Sequence, residues 1–328
     1  MLYIFKKDFF LADYILDALA QTEGITVIPY RRNKAPKKWW KKLLFLGKRH
    51  LRAFYFNKKG LWNNDFFPIT FLDVLKNMSS EDRILFWGVE NLKEMLILEK
   101  EINSTQISFF LWNPVSTINR NEYSKNEYAR YIQRKNLNVY TFDKNDAKLY
   151  GLKLIKQVYR MPDYIEDNIN IDKKDFFFIG KDKKRAKVLM NLLNNLKNEK
   201  LSYYFHILTD KHSNIDSVYA DCFYQEGLDY ATVLKHVNAS RCIAEILQSG
   251  QSGMTIRTLE ALFFKKKLIT NNHEIVKELF YHPNNIYIIG KDESRITLTE
   301  FINSPFINIP EEVLRPYQIE YWIKQFTN

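Results

Sequence analysis

The densest chemistry in the chain lies between Ser249 and Glu260. The run reads Ser249, Gly250, Gln251, Ser252, Gly253, Met254, Thr255, with Glu260 five residues further on. Glycines let a backbone approach a ligand closely, and free N–H groups at a helix start attract an anion. Ser252 and Thr255 add hydroxyl donors. A carboxylate over one turn along, at Glu260, can accept hydrogen bonds from two ribose hydroxyls. A diphosphate at the helix start and a ribose at the glutamate together describe a nucleotide-sugar site. The plainer alternative is a loop–helix junction with serine as cap and Glu260 on a solvated face. Two features weigh against it: Ala-Leu-Phe-Phe follows Glu260, and the β-rich run Lys267–Thr270 comes next.

A second cluster, Lys181, Lys183, Lys184 and Arg185, follows Gly180. When a bond to a diphosphate breaks, charge grows on the leaving oxygen, and fixed cations there lower the barrier. At least two of these four belong to a solvated basic turn. An inverting reaction also needs a base for the acceptor hydroxyl. Glu90, in WGVEN after an apolar run, is the first candidate and Asp13 the second, each with a plain reading as a structural or surface acid. His206 alternates with apolar residues in YYFHIL and reads as a core histidine. Cys222 and Cys242 lack metal-site spacing and read as core. No Walker loop, GxGxxG, HExxH or GxSxG motif occurs.

These residues need a scaffold, and the pattern of apolar runs supplies one. Leu2–Phe5, Ile25–Tyr30, Ile84–Trp87, Ile107–Trp112 and Asn138–Phe142 read as strands, with helices over Phe9–Ala20 and Leu92–Ile102 and a helical pattern from residue 143 to 152. The alternation restarts with strands at Phe176–Ile179, Tyr203–Leu208, Cys242–Leu247, Lys267–Thr270 and Ile286–Ile289. Helices are expected over Ala186–Leu196, Thr255–Phe264 and Pro316–Phe326, with a short helix or turn at Tyr230–His236. Buried strands alternating with helices predict an α/β fold with parallel sheets. Residues 1–160 form an N-terminal half, 161–174 a linker, 175–310 a C-terminal half, and 311–328 a helix packing back on the N-terminal domain. Two such halves place a cleft between them, with ligands beyond the carboxyl ends of the strands.

The 328 residues are an ordinary globular composition, 46% hydrophobic and 27% charged, which excludes disorder and low complexity. No apolar run reaches the length of a membrane span, and the charged start does not read as a signal peptide. Two cysteines form no disulfide framework, so a cytoplasmic chain is expected. Charge is uneven. Residues 1–160 hold 28 Lys+Arg and 16 Asp+Glu, a net of +12, against a net of −1 for the remainder. Arg31–Arg52 contains ten cations and no acid, interleaved with Trp39, Trp40 and a Leu-Leu-Phe-Leu run. Lys37, Lys38, Lys41 and Lys42 beside two tryptophans suit an anionic membrane surface better than nucleic acid. A solvated loop is the alternative.

The segments Gln248–Asn272, Val139–Leu154 and Phe176–Arg185 resemble bacterial glycosyltransferases of lipopolysaccharide, capsule and exopolysaccharide biosynthesis. These have the GT-B architecture, two facing Rossmann-like domains with a cleft between them, and the resemblance in element order runs through nearly the whole chain. It implies a hexosyl transfer from a UDP-sugar or other nucleotide sugar, with no cofactor, to a lipid-linked or lipopolysaccharide acceptor. It also implies a peripheral location on the inner face of the cell membrane. Glu260 matches the glutamate that holds the donor ribose. Gly253, Met254 and Thr255 match the turn that meets the diphosphate, and Lys181 and Arg185 the basic pair beside it. Ser252 stands where retaining members often have a first glutamate, a departure that puts retention in doubt. The absence of Asp-x-Asp, expected of metal-dependent enzymes with the other common glycosyltransferase fold, predicts metal independence. A nucleotide-sugar epimerase of the same architecture and a non-enzymatic basic glycan- or nucleic-acid-binding protein are the alternatives.

Overall fold

A computed structural model describes residues 1–7, 9–30, 74, 77–102, 106–115, 129–130, 132–133, 137–161, 171–210, 217–248, 251 and 253–327. The chain divides into two compact units. The first holds residues 1–141, 146–153 and 324–328, and the second holds 142–145 and 154–323.

In the first unit the order is β1 (Leu2–Lys7), α1 (Phe10–Asp17), β2 (Ile25–Tyr30), β3 (Arg83–Trp87), α2 (Leu92–Glu101), β4 (Ile107–Phe110), β5 (Asn138–Thr141), α3 (Lys144–Tyr150) and β6 (Lys153–Leu154). The sheet order is β2-β1-β3-β4-β5-β6, and β1 to β5 pair in parallel. Runs such as Ile-Leu-Phe-Trp are apolar throughout because a parallel strand is covered on both faces. The register sets Phe5 beside Phe86 and Phe86 beside Phe109. Their rings stack at 5.3 and 5.1 Å, forming a row across the centre of the sheet. Asn91 caps α2 by accepting from the Glu94 N–H at 3.1 Å.

The second unit contains β7 (Lys174–Lys181), α4 (Ala186–Asn198), β8 (Tyr203–Leu208), β9 (Phe223–Tyr224), α5 (Tyr230–Ala239), β10 (Ser240–Glu245), α6 (Ile256–Phe263), β11 (Lys267–Thr270), β12 (Ile286–Ile288) and α7 (Leu298–Asn303). Its strands run in the order β9-β8-β7-β10-β11-β12, all parallel. Numbered from β7, this is the 3-2-1-4-5-6 order of dinucleotide-binding sheets. Helix α4 buries Leu189, Leu192, Leu193 and Leu196, at helical spacing, against Phe176, Phe178 and Phe205.

Two boundaries differ from the sequence expectation. The chain passes into the second unit at Lys153–Leu154, upstream of the expected boundary after residue 160; of the expected linker 161–174, residues 162–170 lie outside the described residues. Ile155, Val158 and Tyr159 are buried in the second unit, so this stretch is core of that unit. The expected C-terminal helix over Pro316–Phe326 is broken at Gln318 into a short helical turn, Arg315–Tyr317, and a helical run made of Ile319–Trp322 and Ile323–Phe326. Gln318 is extended and pairs with Tyr159 in an isolated parallel bridge. The Tyr159 N–H donates to the Tyr317 carbonyl at 2.8 Å and the Ile319 N–H donates to the Tyr159 carbonyl at 3.0 Å. Of the segment 311–328, expected to return to the N-terminal domain, residues 324–328 group with the first unit. The Arg83 guanidinium donates to the Phe326 carbonyl at 3.4 Å.

Candidate active site

An open parallel sheet binds ligands where its strand order reverses, outside the carboxyl ends of the two strands that flank the reversal. In the second sheet those strands are β7 and β10. Arg185 stands between them. Its guanidinium donates to the carbonyl of Lys181, the last residue of β7, and to that of Ile246, just past β10. Nε donates to the Asp182 carbonyl at 3.1 Å, and the guanidinium lies 5.5 Å from the Phe178 ring centre. Burial lowers the Arg185 pKa to about 10, against the opposing pull of Asp182, Asp210 and Glu245. Gly180 leaves the room this requires, since a Cβ there would lie 3.0 Å from Nη2 and 3.3 Å from the Phe178 ring.

The turn that carries Arg185 is fixed from below. The buried Asp182 carboxylate accepts from the Arg185 and Ala186 N–H groups at 2.9 and 2.8 Å and so starts α4. Lys183 and Lys184 both adopt positive φ, 45° and 67°, a left-handed conformation that costs a non-glycine residue about 1 kcal/mol or more. Asp210 holds this turn by accepting from the Lys183 N–H at 2.8 Å. Lys181 is exposed at the strand end.

After β10 the chain forms the turn that opens α6. Thr255 is its N-cap, accepting from the Arg257 N–H at 3.1 Å. Gly253 donates its N–H to the Asp143 carboxylate at 2.8 Å. It packs so closely that a Cβ would lie 2.8 Å from the Phe142 ring and 3.2 Å from Asp143 Cα. Glu245, not singled out in the sequence, anchors the other side. One of its oxygens accepts from the Thr255 N–H, the Thr255 hydroxyl and the Thr258 hydroxyl, at 2.9, 2.6 and 2.7 Å. The other accepts from the Thr270 hydroxyl of β11 at 2.9 Å. A glutamate inside the apolar strand run CIAEIL was the available signal.

Glu260 is fully buried, which removes the solvated-face alternative. Its Oε1 accepts from Tyr230 Oη at 2.8 Å, and Tyr230 in turn meets Tyr159 Oη at 2.8 Å. Arg257 Nη1 lies 2.6 Å from Oε2 as an ion contact without hydrogen-bond alignment. Burial pushes the Glu260 carboxyl up, while Arg257 and Tyr230 oppose the shift. The Arg257 side chain that contacts it is 14% exposed.

The structure thus brings Gly180, Lys181, Arg185, Gly253, Met254 and Thr255 to one sheet edge and places Glu260 beneath, on the buried side of α6. The Gln251 N–H donates to the Gln248 carbonyl at 3.1 Å. Ser249, Gly250 and Ser252 lie outside the described residues, as do Lys37, Lys38, Trp39, Trp40, Lys41 and Lys42.

In the first sheet the order reverses between β1 and β3. Glu90 follows β3, and its carboxylate accepts from the Asn113 backbone N–H at 2.8 Å and from Asn113 Nδ2 at 3.1 and 3.2 Å. Burial raises its pKa, opposed by Asn113 and by the nearby Lys7. Asp13 is a different case: it lies in α1, half-exposed, in an ion pair with Lys6.

No protein-family model and no curated protein sequence matches the chain. Solved structures do. The apo form of the lipopolysaccharide outer core galactosyltransferase WaaB is 13% identical with a TM-score of 0.50, covering 100% of this chain and 98% of that one. The UDP-forming α,α-trehalose-phosphate synthase of Burkholderia xenovorans, in complex with glucose-6-phosphate, is 11% identical with a TM-score of 0.55, covering 99% and 98%. The corresponding enzyme of Burkholderia vietnamiensis is 10% identical with a TM-score of 0.54, covering 99% and 95%. At these identities the likeness shows the fold. It is the expected α/β fold of GT-B type, with two parallel six-stranded sheets and their helices.

Proposed function

We propose that the chain is a glycosyltransferase that moves a hexose from a nucleotide-diphosphate donor, favoured as a UDP-sugar, to a hydroxyl of a lipid-linked or lipopolysaccharide glycan. The observation that carries this is the Arg185 guanidinium between the ends of β7 and β10, beside the Gly253–Thr255 turn that opens α6. A cation and a helix start at one switch point suit a diphosphate. The structural likeness to WaaB and to UDP-forming synthases supports sugar transfer as the use of that site.

In this reading Arg185, Lys181 and the N–H groups opening α6 meet the charge that grows on the leaving diphosphate, with no metal required. Glu260 accepts the ribose hydroxyls once Arg257 has moved off it. Glu90, with a raised pKa, is the base that takes the acceptor proton. The basic, Trp-containing run Arg31–Arg52 attaches the protein peripherally to the anionic inner face of the membrane.

The test is a thermal-shift panel of UDP, UDP-sugars, GDP and CMP on wild type and Glu260→Gln. A ligand that binds only the folded state stabilises it by about 2.7 kcal/mol at a hundredfold excess over Kd. The expected result is a shift with UDP or a UDP-sugar that shrinks in Glu260→Gln. A shift with GDP or CMP alone changes the donor. No shift with any nucleotide overturns the reading.

A further inference from the structure

The switch point of the first sheet carries side chains of a different kind from those of the second. Gly88, just past β3, has φ +76°. A Cβ there would lie 3.1 Å from Phe9 Cε1 and 3.6 Å from Lys7 Cβ. The turn after β3 is therefore pressed against the residues that leave β1, which brings Glu90 to the carboxyl edge with Lys7 and Phe9. The loop after β4 adds Trp112 and Asn113. Trp112 stacks on the fully buried Trp87, ring centres 5.8 Å apart, and meets the Phe9 ring at 5.3 Å. Trp112 and Phe9 are themselves only partly buried. Next to them, three hydrogen bonds from Asn113 fix the Glu90 carboxylate.

A partly exposed indole beside a rigid, multiply hydrogen-bonded carboxylate matches the two faces of a sugar. The axial C–H bonds of a pyranose carry slight positive charge and lie on the negative face of an aromatic ring. Its hydroxyls donate to a carboxylate. A few convergent polar groups among aromatic walls are what small-ligand sites consist of.

We infer that this edge is a carbohydrate-binding site that takes a neutral pyranose, its apolar face on Trp112 and Phe9 and one hydroxyl on Glu90. The inference deepens the glycosyltransferase reading and rests on it for its role: the bound ring is the acceptor's terminal sugar, and Trp112 is a specificity-determining residue.

Saturation-transfer NMR with free galactose, glucose and N-acetylglucosamine tests the site without any donor. Wild type should show transfer to at least one of the three. Trp112→Ala should abolish it, Trp112→Phe should retain most of it, and Glu90→Gln should weaken it. The UDP thermal shift should be unchanged in all three variants, which also reports that they are folded. In turnover, Trp112→Ala should raise the acceptor KM about tenfold with kcat within about twofold, as loss of an aromatic contact predicts. Equal transfer to wild type and Trp112→Ala overturns the inference, as does no transfer from wild type. A UDP shift without sugar binding leaves the donor reading standing and removes this site. Sugar binding without any nucleotide shift does the reverse.

Discussion

The two sheets reverse strand order at different places and carry opposite chemistry there. At β7/β10 the edge holds a guanidinium, a glycine turn and a helix start. Two buried acids, Asp182 and Glu245, are spent on holding backbone N–H groups and hydroxyls in place. At β1/β3 the edge holds a carboxylate with Lys7 near it, an amide and partly exposed aromatics. One is proposed for a diphosphate and the other for a sugar ring. The layers beneath are alike, so the fold supplies the two edges, and the residues after each strand decide what each edge binds.

The two edges should differ most in their response to substitution at Glu90. Glu90→Gln keeps the size and part of the Asn113 contact but cannot take a proton. Turnover should fall by roughly 10²- to 10⁴-fold, the usual worth of a general base, with the UDP shift unchanged. The pH profile gives an independent sign. Burial raises the Glu90 pKa in the folded protein, so wild-type kcat/KM should fall as pH drops through that raised value, above the ordinary ~4.3 of a glutamate. Glu90→Gln should lose that acid limb. A variant with wild-type turnover removes the base from the first edge.

Glu245→Ala tests the second edge. It orphans the fully buried Thr258 and Thr270 hydroxyls and releases the Thr255 cap. Unpaired buried donors cost about 1–3 kcal/mol each. Urea denaturation should show a loss of roughly 3 kcal/mol or more, and the nucleotide shift should vanish with it. Glu90→Ala should cost less than half as much, because its carboxylate holds one residue and not a helix start. Equal costs would mean that the two acids do the same structural work.

Gly253→Ala is smaller. The added Cβ meets the Phe142 ring at 2.8 Å and Asp143 Cα at 3.2 Å. Overpacking of this kind costs about 1–3 kcal/mol. The shift in Tm should be accompanied by weaker UDP binding, since the turn must open to admit the methyl group. A stable variant that binds UDP like wild type would detach this turn from the donor site.

How much of the structure can be read in the sequence follows from the range of the interactions. Apolar runs are local, and Ile25–Tyr30, Tyr203–Leu208 and Lys267–Thr270 have the strand limits that their composition indicates. The two-residue strands β6 and β9 are too short to show a period. The Gly253 turn, the Thr255 cap and Glu260 are readable because they fall within eight residues of one another. Their fastening is not: Asp143 reaches Gly253 across 110 residues, and Tyr159 reaches Tyr230 across 71. At the C-terminus Ile319, Trp322, Ile323 and Phe326 have helical spacing. The pairing of Tyr159 with the backbone of Tyr317 and Ile319 interrupts that helix, and no periodicity within the segment reports a partner so far away.

His236→Phe is the control that keeps effects at the two edges from being read as general destabilisation. His236, in α5, stacks on Tyr204 at 4.1 Å and lies 5.5 Å from Phe177, both rings near-parallel to it. Burial lowers its pKa, and His206 adds to the shift. The unfolded chain therefore takes up a proton first as pH falls below the ordinary imidazole value of ~6.5. Stability contributed above that pH is lost as pH falls towards the lower folded value. Phenylalanine keeps the stacking and removes the titration. The stability gap between about pH 7.5 and about pH 5.5 should narrow in the variant. Glu90 and Glu260, raised by burial, act with the opposite sign, since each favours the folded state as it protonates. They contribute equally to wild type and variant, so the difference between the two curves isolates His236. The UDP shift and the monosaccharide saturation transfer should both be unchanged. If either moves, His236 is coupled to one of the two edges, and the separation between scaffold and edge fails at α5.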